Sequence, residues 1–276
     1  VGLFAVFQCG MLGMRAHVID ALQETGGQCT ALYPEKPIYD IPGYPEISAG
    51  GLIEALERQA APFRPVYHLG QQVVTLEKPD KEWIIGTTAG TRLQARAVII
   101  AAGAGAFGPN RPPVEDIQSY EGKSVFYMVR RREDFRGKRV VIAGGGDSAV
   151  DWSLSLSDVA EKIYVVHRRG KFRAAPETVA QLYQRAGDGH VQIVTPFQLK
   201  SLEGENGVLR AVRLISMDGA ERNIETDILL PFFGLASELG PISEWGLNIN
   251  KNRIVIDPST GETSAPGIFA VGDIAD

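Results

Sequence analysis

Residues 138–173 read KRVVIAGGGDSAVDWSLSLSDVAEKIYVVHRRGKFR. The apolar run Val140–Ala143 predicts a strand that enters Gly144-Gly145-Gly146 directly. A helical pattern follows, and a second apolar run, Ile163–Val166, ends in His167-Arg168-Arg169. Strand, glycine turn, helix and strand make a βαβ unit with a G-x-G-x-x-A turn at Gly144, Gly146 and Ala149. In such a turn Gly144 permits the tight bend and Gly146 lets the backbone approach a pyrophosphate. Ala149 is small enough for the helix to pack on the strand. The helix N-terminus then offers unpaired N–H groups and a partial positive charge to a phosphate.

The end of the second strand selects the nucleotide. An acid there would accept the ribose 2′-hydroxyl of NAD. Arg168 and Arg169 stand there instead, with Arg173 close by, and a guanidinium offers a planar fork of donors that suits a phosphate. The segment predicts an NADP(H) site. The competing reading is an ordinary βαβ unit followed by a solvated basic loop.

The remaining composition narrows the class. A chain of 276 residues, 44% of them hydrophobic, is expected to be soluble and long enough for two domains. No apolar run approaches the roughly 20 residues that span a bilayer. The net charge of −5 is uneven: residues 123–173 hold twelve Lys or Arg against six Asp or Glu, and the remainder carries −11. The basic cluster has a phosphate to bind and no interleaved aromatics, which argues against nucleic acid. Its surplus suits an acidic protein partner. Cys9 and Cys29 form neither a C-x-x-C nor a metal spacing, so free, half-buried thiols in a reducing cytoplasmic compartment are expected.

In chain order, Gly2–Met11 reads as a buried helix after a glycine turn, and His17–Ile19 as a strand ending in Asp20. These are the back half of another βαβ unit with an acid at the ribose position, or else a helix capping some other sheet. On the first reading Gly2 is the third glycine of its motif, the chain begins inside that motif, and truncation at both ends is expected. Residues 26–47, rich in Gly, Pro and aromatics, read as an ordered loop. Its Tyr33, Tyr39 and Tyr44 either stack on a flat ring or pack the loop. An amphipathic helix is expected over 48–64, then strands at Gln72–Glu77, Trp83–Thr87 and Arg92–Ile100. Pro112-Pro113 and Gly234 read as crossovers between domains. The last strand, Ile268–Val271, runs into Gly272-Asp273, where the acid either accepts a ligand hydroxyl or caps a helix.

Two nucleotide units and a terminal GDI place the chain near the two-dinucleotide-binding flavoproteins. It closely resembles the thioredoxin-reductase-like ferredoxin–NADP reductases over essentially its whole length. The most specific stretches are VGLFAVFQCG (1–10), GGQCTALYPEKPIYDIPG (26–43), GAFGP (105–109), GGGDSAVDW (144–152), VHRRGKFRA (166–174), LGPISEWGL (239–247) and PGIFAVGD (266–273). The resemblance implies an α/β protein of two Rossmann-like domains with three layers. A discontinuous FAD domain would comprise residues 1–114 and 237–276, and an NADP domain residues 115–236.

It also implies roles. Gly2 would belong to the FAD phosphate turn, and Asp20 would hold the adenosine ribose of FAD. Gln28 and Tyr33 would lie at the isoalloxazine, with Tyr33 stacked on the ring. Val73 would contact the adenine through its backbone, Phe107 would lie against the cofactor, and Asp273 would bind the ribityl chain. Gly144, Gly146, Asp147, Ser148, His167, Arg168, Arg169 and Arg173 would bind NADP(H). The implied reaction moves a hydride from NADPH to FAD and then single electrons to ferredoxin, an acidic iron–sulfur protein, or runs in reverse. No catalytic side chain is needed, and a cytoplasmic homodimer is implied. Flavodoxin or quinone as acceptor, or a non-catalytic NADP(H) sensor, are the alternatives. A disulfide reductase of this fold needs a C-x-x-C just upstream of the NADP strand, and SVFYMVRRREDF (124–135) has no cysteine.

Overall fold

The strand read at Val140–Ala143 runs from Arg139 to Ala143 inside a four-stranded parallel sheet of the computed structural model. The backbone is described for residues 1–276, and the side chains for all but residues 106, 107 and 235–237. The sheet order is Val191–Val194, Lys162–Val166, Arg139–Ala143, Ile228–Pro231. Residues 140 to 143 are each no more than 1% exposed, because both faces of the sheet are covered. On one face Val141, Ala143, Val166, Val194 and Leu229 pack with Leu209, Val212, Leu214 and Ile224. The last four come from an antiparallel meander of Gln198–Glu205, Val208–Ile215 and Glu221–Glu225. Strand alternation turns Val140 and Ile142 to the other face. There the helix Asp147–Leu156 contacts the two central strands, and the helix Pro176–Gly187 contacts Val191–Val194.

Arg139 fixes the entry of this strand. Its backbone N–H donates to Asp227 Oδ2 at 2.8 Å and its Nη2 to Asp227 Oδ1 at 2.9 Å, while Asp227 N–H returns a bond to Arg139 O at 2.9 Å. The layered body belongs to a compact unit of Pro109–Leu235.

The second unit comprises Val1–Gly108 and Ala236–Asp276. Its parallel pairs are His17–Ile19 with Val66–His68, and Val98–Ile100 with Ile268–Ala270. An antiparallel meander follows the order Val73–Glu77, Trp83–Thr87, Arg92–Ala95. Its core joins distant segments: Trp83, Ile85 and Ile100 pack with Leu239, Ile242, Ile254, Ile268 and Ile274. The helix Gly2–Met11 buries Leu3 and Val6. The helix Ala49–Ala60 starts at Ser48, whose Oγ accepts the Gly51 N–H at 3.1 Å, and it buries Ala49, Ile53 and Ala60 on one face.

The α/β class and the paired Rossmann-like architecture read from the sequence are present. Two local expectations need correction. The apolar run 92–100 is two strands, Arg92–Ala95 and Val98–Ile100. After Ala95 the chain leaves the meander, and Val98 N–H donates to Gly267 O at 2.9 Å as it joins Ile268–Ala270. A change of sheet leaves no mark in apolar periodicity. Residues 26–47 are more regular than a loop: they hold the helix Gln28–Ala31, and Pro37–Ile38 pairs with Ile47–Ser48.

Candidate functional site

Each unit carries its own set of predicted residues. In the unit 109–235, Gly144 ends the central strand and Gly146 caps the helix that starts at Asp147. The glycines have different reasons. A Cβ on Gly144 would lie 2.7 Å from Phe232 O and 2.9 Å from the Ala149 Cβ, so strand and helix meet there without a side chain between them. Close packing, rather than a left-handed bend, is what Gly144 provides. A Cβ on Gly146 would meet nothing within 4 Å, which leaves the approach to the helix N-terminus open. Ser148 is exposed in the first turn of that helix.

The segment after the second strand is tied back to this turn. Arg173 N–H donates to Gly145 O at 2.7 Å, and Ala175 N–H donates to Asp147 Oδ1 at 2.9 Å. Residues 168–172 therefore form a loop whose far end is anchored on the glycine turn. Arg168, Arg169 and Arg173 are exposed on it and make no ion pair among the described residues. His167 differs from its neighbours. It is 8% exposed, and its ring stacks on Phe172 with centroids 5.4 Å apart and planes 21° apart. Burial pulls its pKa below the usual histidine range. A hydrogen bond to the Lys171 backbone opposes this, and the charges of Arg173, Arg168 and Arg169 push the same way as burial. The imidazole is held neutral in the middle of three arginines.

In the unit 1–108 with 236–276, Asp20 and Asp273 follow the carboxyl ends of parallel strands, where open α/β sheets bind ligands. Gly2 begins its helix, with no acid in the first turn, and a Cβ there would reach Ala101 Cβ at 3.4 Å. Gly272, at φ +82°, and Asp273 follow Ile268–Ala270, and a Cβ on Gly272 would lie 3.3 Å from the Val1 side chain. The helix start and both strand ends thus converge. Asp20 ends His17–Ile19 and its Oδ1 accepts the Leu22 N–H at 2.9 Å. Burial raises its carboxyl pKa, and the Leu22 bond counters this.

Gln28 opens the short helix that leads to Tyr33. The Tyr33 phenol is pushed up to about 12, first by burial, then by the charges of Cys29 and Asp273, with a hydrogen bond to Cys29 adding to it. Val73 starts the edge strand of the meander. The Phe107 side chain lies outside the described residues.

Three residues that matter to these arrangements escape motif reading. Gly145 is an unrestricted position in G-x-G-x-x-A, yet a Cβ there would lie 2.2 Å from the His167 ring. The unbroken triple glycine was its only signal. Phe172 links His167 to Tyr183, an edge-on contact at 6.3 Å and 74°. Cys29 bonds Tyr33 and has its own pKa raised, chiefly by burial.

Comparison with known proteins agrees over both units. Residues 10–276 match the family model described as pyridine nucleotide-disulphide oxidoreductase. A ferredoxin–NADP reductase of Paramagnetospirillum magneticum is 61% identical, over 99% of this chain and 82% of that protein. One of Rhodospirillum rubrum is 60% identical, over 100% of this chain and 81% of that protein. Among solved structures, thioredoxin reductase of T. acidophilum superposes with a TM-score of 0.88 at 23% identity, covering 100% of this chain and 87% of that one. That of Lactococcus lactis gives 0.85 at 22% identity, with 100% and 87% covered, and both show the shared fold. With its open glycine turn, its second strand-end site and this agreement along its length, the chain belongs to the pyridine nucleotide-disulphide oxidoreductase family, among the ferredoxin–NADP reductases.

Proposed function

We propose that the chain passes electrons between NADPH and ferredoxin with FAD as its bound cofactor. The supporting observation is the pairing, in the unit 109–235, of an open glycine turn with an arginine loop hydrogen-bonded to it through Arg173 and Asp147. That unit takes NADP(H), and the unit 1–108 with 236–276 takes FAD. Both sites fit a dinucleotide: Gly146 leaves room for a pyrophosphate, and Gly2 and Asp273 face the same strand ends. Cys9 and Cys29 are the only cysteines, and neither lies in the segment 109–235, so a dithiol relay there has no residues to run on.

FAD, when bound, would supply the redox chemistry that joins hydride transfer from NADPH to single-electron transfer with an iron–sulfur protein, in either direction. The chain supplies position and electrostatics. Arg168, Arg169 and Arg173 hold the 2′-phosphate, while Gly144, Gly146, Asp147 and Ser148 present the helix N-terminus to the pyrophosphate. Asp20 accepts the FAD ribose hydroxyls, and Asp273 those of the ribityl chain. Gln28 and Tyr33 would border the flavin ring, where the phenol, uncharged at neutral pH, offers a flat surface for stacking. Hydride transfer asks for no side-chain acid or base, so no catalytic residue is assigned.

Arg130 and Arg131 are exposed and suit an acidic partner. Arg132 turns inward, where Nη2 donates to Ser155 O at 2.7 Å and lies 3.5 Å from Asp158. Arg130 and Arg131 are thus the members of this arginine run left open to a partner. A cytoplasmic homodimer completes the reading.

The test is NADPH-driven reduction of ferredoxin by the FAD-loaded protein, followed through cytochrome c. Turnover that requires ferredoxin and prefers NADPH to NADH is expected. Flavin bleaching by NADPH without ferredoxin dependence would move the acceptor to flavodoxin or a quinone. No bleaching would overturn the enzyme reading.

A further inference from the structure

We infer that His167 is the positioning residue for the arginine loop: a wedge packed against both the glycine turn and Phe172, making no direct bond to the nucleotide. The inference rests on the NADP(H) assignment and adds a source for its specificity.

The backbone of His167 is fixed on both sides. Its N–H donates to Val194 O at 3.2 Å, and its C=O accepts Phe197 N–H at 3.1 Å. The ring then packs on two partners. One contact is the Phe172 ring. The other is Gly145, where a Cβ would come within 2.2 Å of Cε1, 2.4 Å of Nδ1 and 2.5 Å of Nε2. The ring face around Cε1 and both nitrogens therefore packs directly on the α-carbon of Gly145. Nε2 is buried and has no hydrogen-bond partner among the described residues. A nitrogen shut in behind the turn is badly placed to reach a 2′-phosphate at the loop surface.

The same wedge sets the loop. Arg168 and Arg169 follow His167 immediately, and Arg173 follows Phe172 immediately. Pinning residues 167 and 172 to each other closes the short segment between them, and the Arg173 N–H to Gly145 O bond at 2.7 Å closes it onto the turn. All three arginines are thereby placed on one ordered loop before any ligand arrives, which lowers the ordering cost of binding. Neutrality matters here, since a fourth cation beneath three arginines would repel them.

The test is a double-mutant cycle on Gly145 and His167, read by calorimetric titration with adenosine 2′,5′-bisphosphate and, separately, with 5′-AMP. His167→Ala and Gly145→Ala should each weaken the bisphosphate at least tenfold, with 5′-AMP changed less than threefold. The two changes should not add, because the alanine methyl at 145 fills space that His167→Ala vacates. The double variant should bind the bisphosphate no worse than His167→Ala alone. With FAD bound, the KM for NADPH should rise while kcat holds. Strictly additive losses, or equal losses for both ligands, would overturn the positioning role. If His167→Ala does not fold, His167→Asn, smaller and uncharged, serves the same cycle. Failure of the unmodified protein to prefer the bisphosphate over 5′-AMP would instead sink the NADP(H) assignment on which the inference rests.

Discussion

Arg168 and Arg169 are exposed and unpaired among the described residues, so their guanidinium groups are available to a phosphate without breaking an existing contact. On the proposed 2′-phosphate role, replacing either by alanine would remove a charge-assisted bond worth about 1.5–3 kcal/mol. The KM for NADPH should rise roughly ten- to hundredfold, with little change for NADH. An equal rise for both nucleotides would refute the 2′-phosphate role. Tyr33 yields a second prediction. Its phenol ionises only near 12, against 10.0 for a free tyrosine. The folded state favours the neutral form, so its stabilisation is complete below pH 10 and is lost as pH climbs from 10 towards 12. Tyr127 is also pushed up, by burial and its hydrogen bond to Glu121, so difference absorbance at 295 nm should show more than one late-titrating tyrosine, and Tyr33→Phe should remove one of them. An unchanged late amplitude in Tyr33→Phe would mean that Tyr33 titrates normally. Arg168, Asp20 and Asp273 are candidates that the sequence itself nominates, because their chemical type at a strand end carries the inference. Gly145 and Phe172 are not, because their importance lies in which ring packs against them.

Elements were the most legible level, and their limits are physical. The strands Arg139–Ala143 and Lys162–Val166 announce themselves as apolar runs, since both faces of their sheet are covered. The helix Gly2–Met11 reads as a helix from its apolar content, but only Leu3 and Val6 are buried while Phe4 and Met11 stay exposed, so its expected burial is not met. The break inside residues 92–100 is silent, because Arg92–Ala95 and Val98–Ile100 satisfy two sheets with one continuous pattern. The partner of Val98–Ile100 is equally silent, since parallel pairing with Ile268–Ala270 is a tertiary choice. At this scale, Asp227 is the stake that holds the strand Arg139–Ala143 in register beside Ile228–Pro231. Hydrogen bonding to Arg139 keeps its carboxyl below the usual carboxylate range. Asp227→Ala should cost about 1–2 kcal/mol at neutral pH, reduced by its partial exposure to solvent. The contribution is present above the unfolded carboxylate value of about 4 and is lost as pH falls through the depressed folded value. The gap between variant and parent in urea melts should therefore close on acidification. A constant gap would mean that the loss is packing and not charge.

Two separate cores make the whole molecule two folding problems. Leu229 is fully buried where the parallel sheet meets the meander, in the unit 109–235. The cluster around Ile268 and Ile274 belongs to the other unit. Leu229→Ala should remove about 2–5 kcal/mol from one unit. Differential scanning calorimetry should show one transition move and another stay, and NADP+ should raise only the transition that Leu229→Ala lowers. A single transition shifted as a whole would show that the units melt as one. The discontinuity of the FAD-assigned unit also has a cost in time. A ribosome delivers Val98–Ile100 long before Ile268–Ala270, with the whole of the other unit between them. At roughly 5–20 residues per second, the earlier strand waits on the order of ten to thirty seconds for its neighbour. During that interval its apolar edge is a client for chaperones, while the intervening unit, continuous in sequence, is free to fold first. The later-closing unit is thus the one whose yield should respond to the speed of translation.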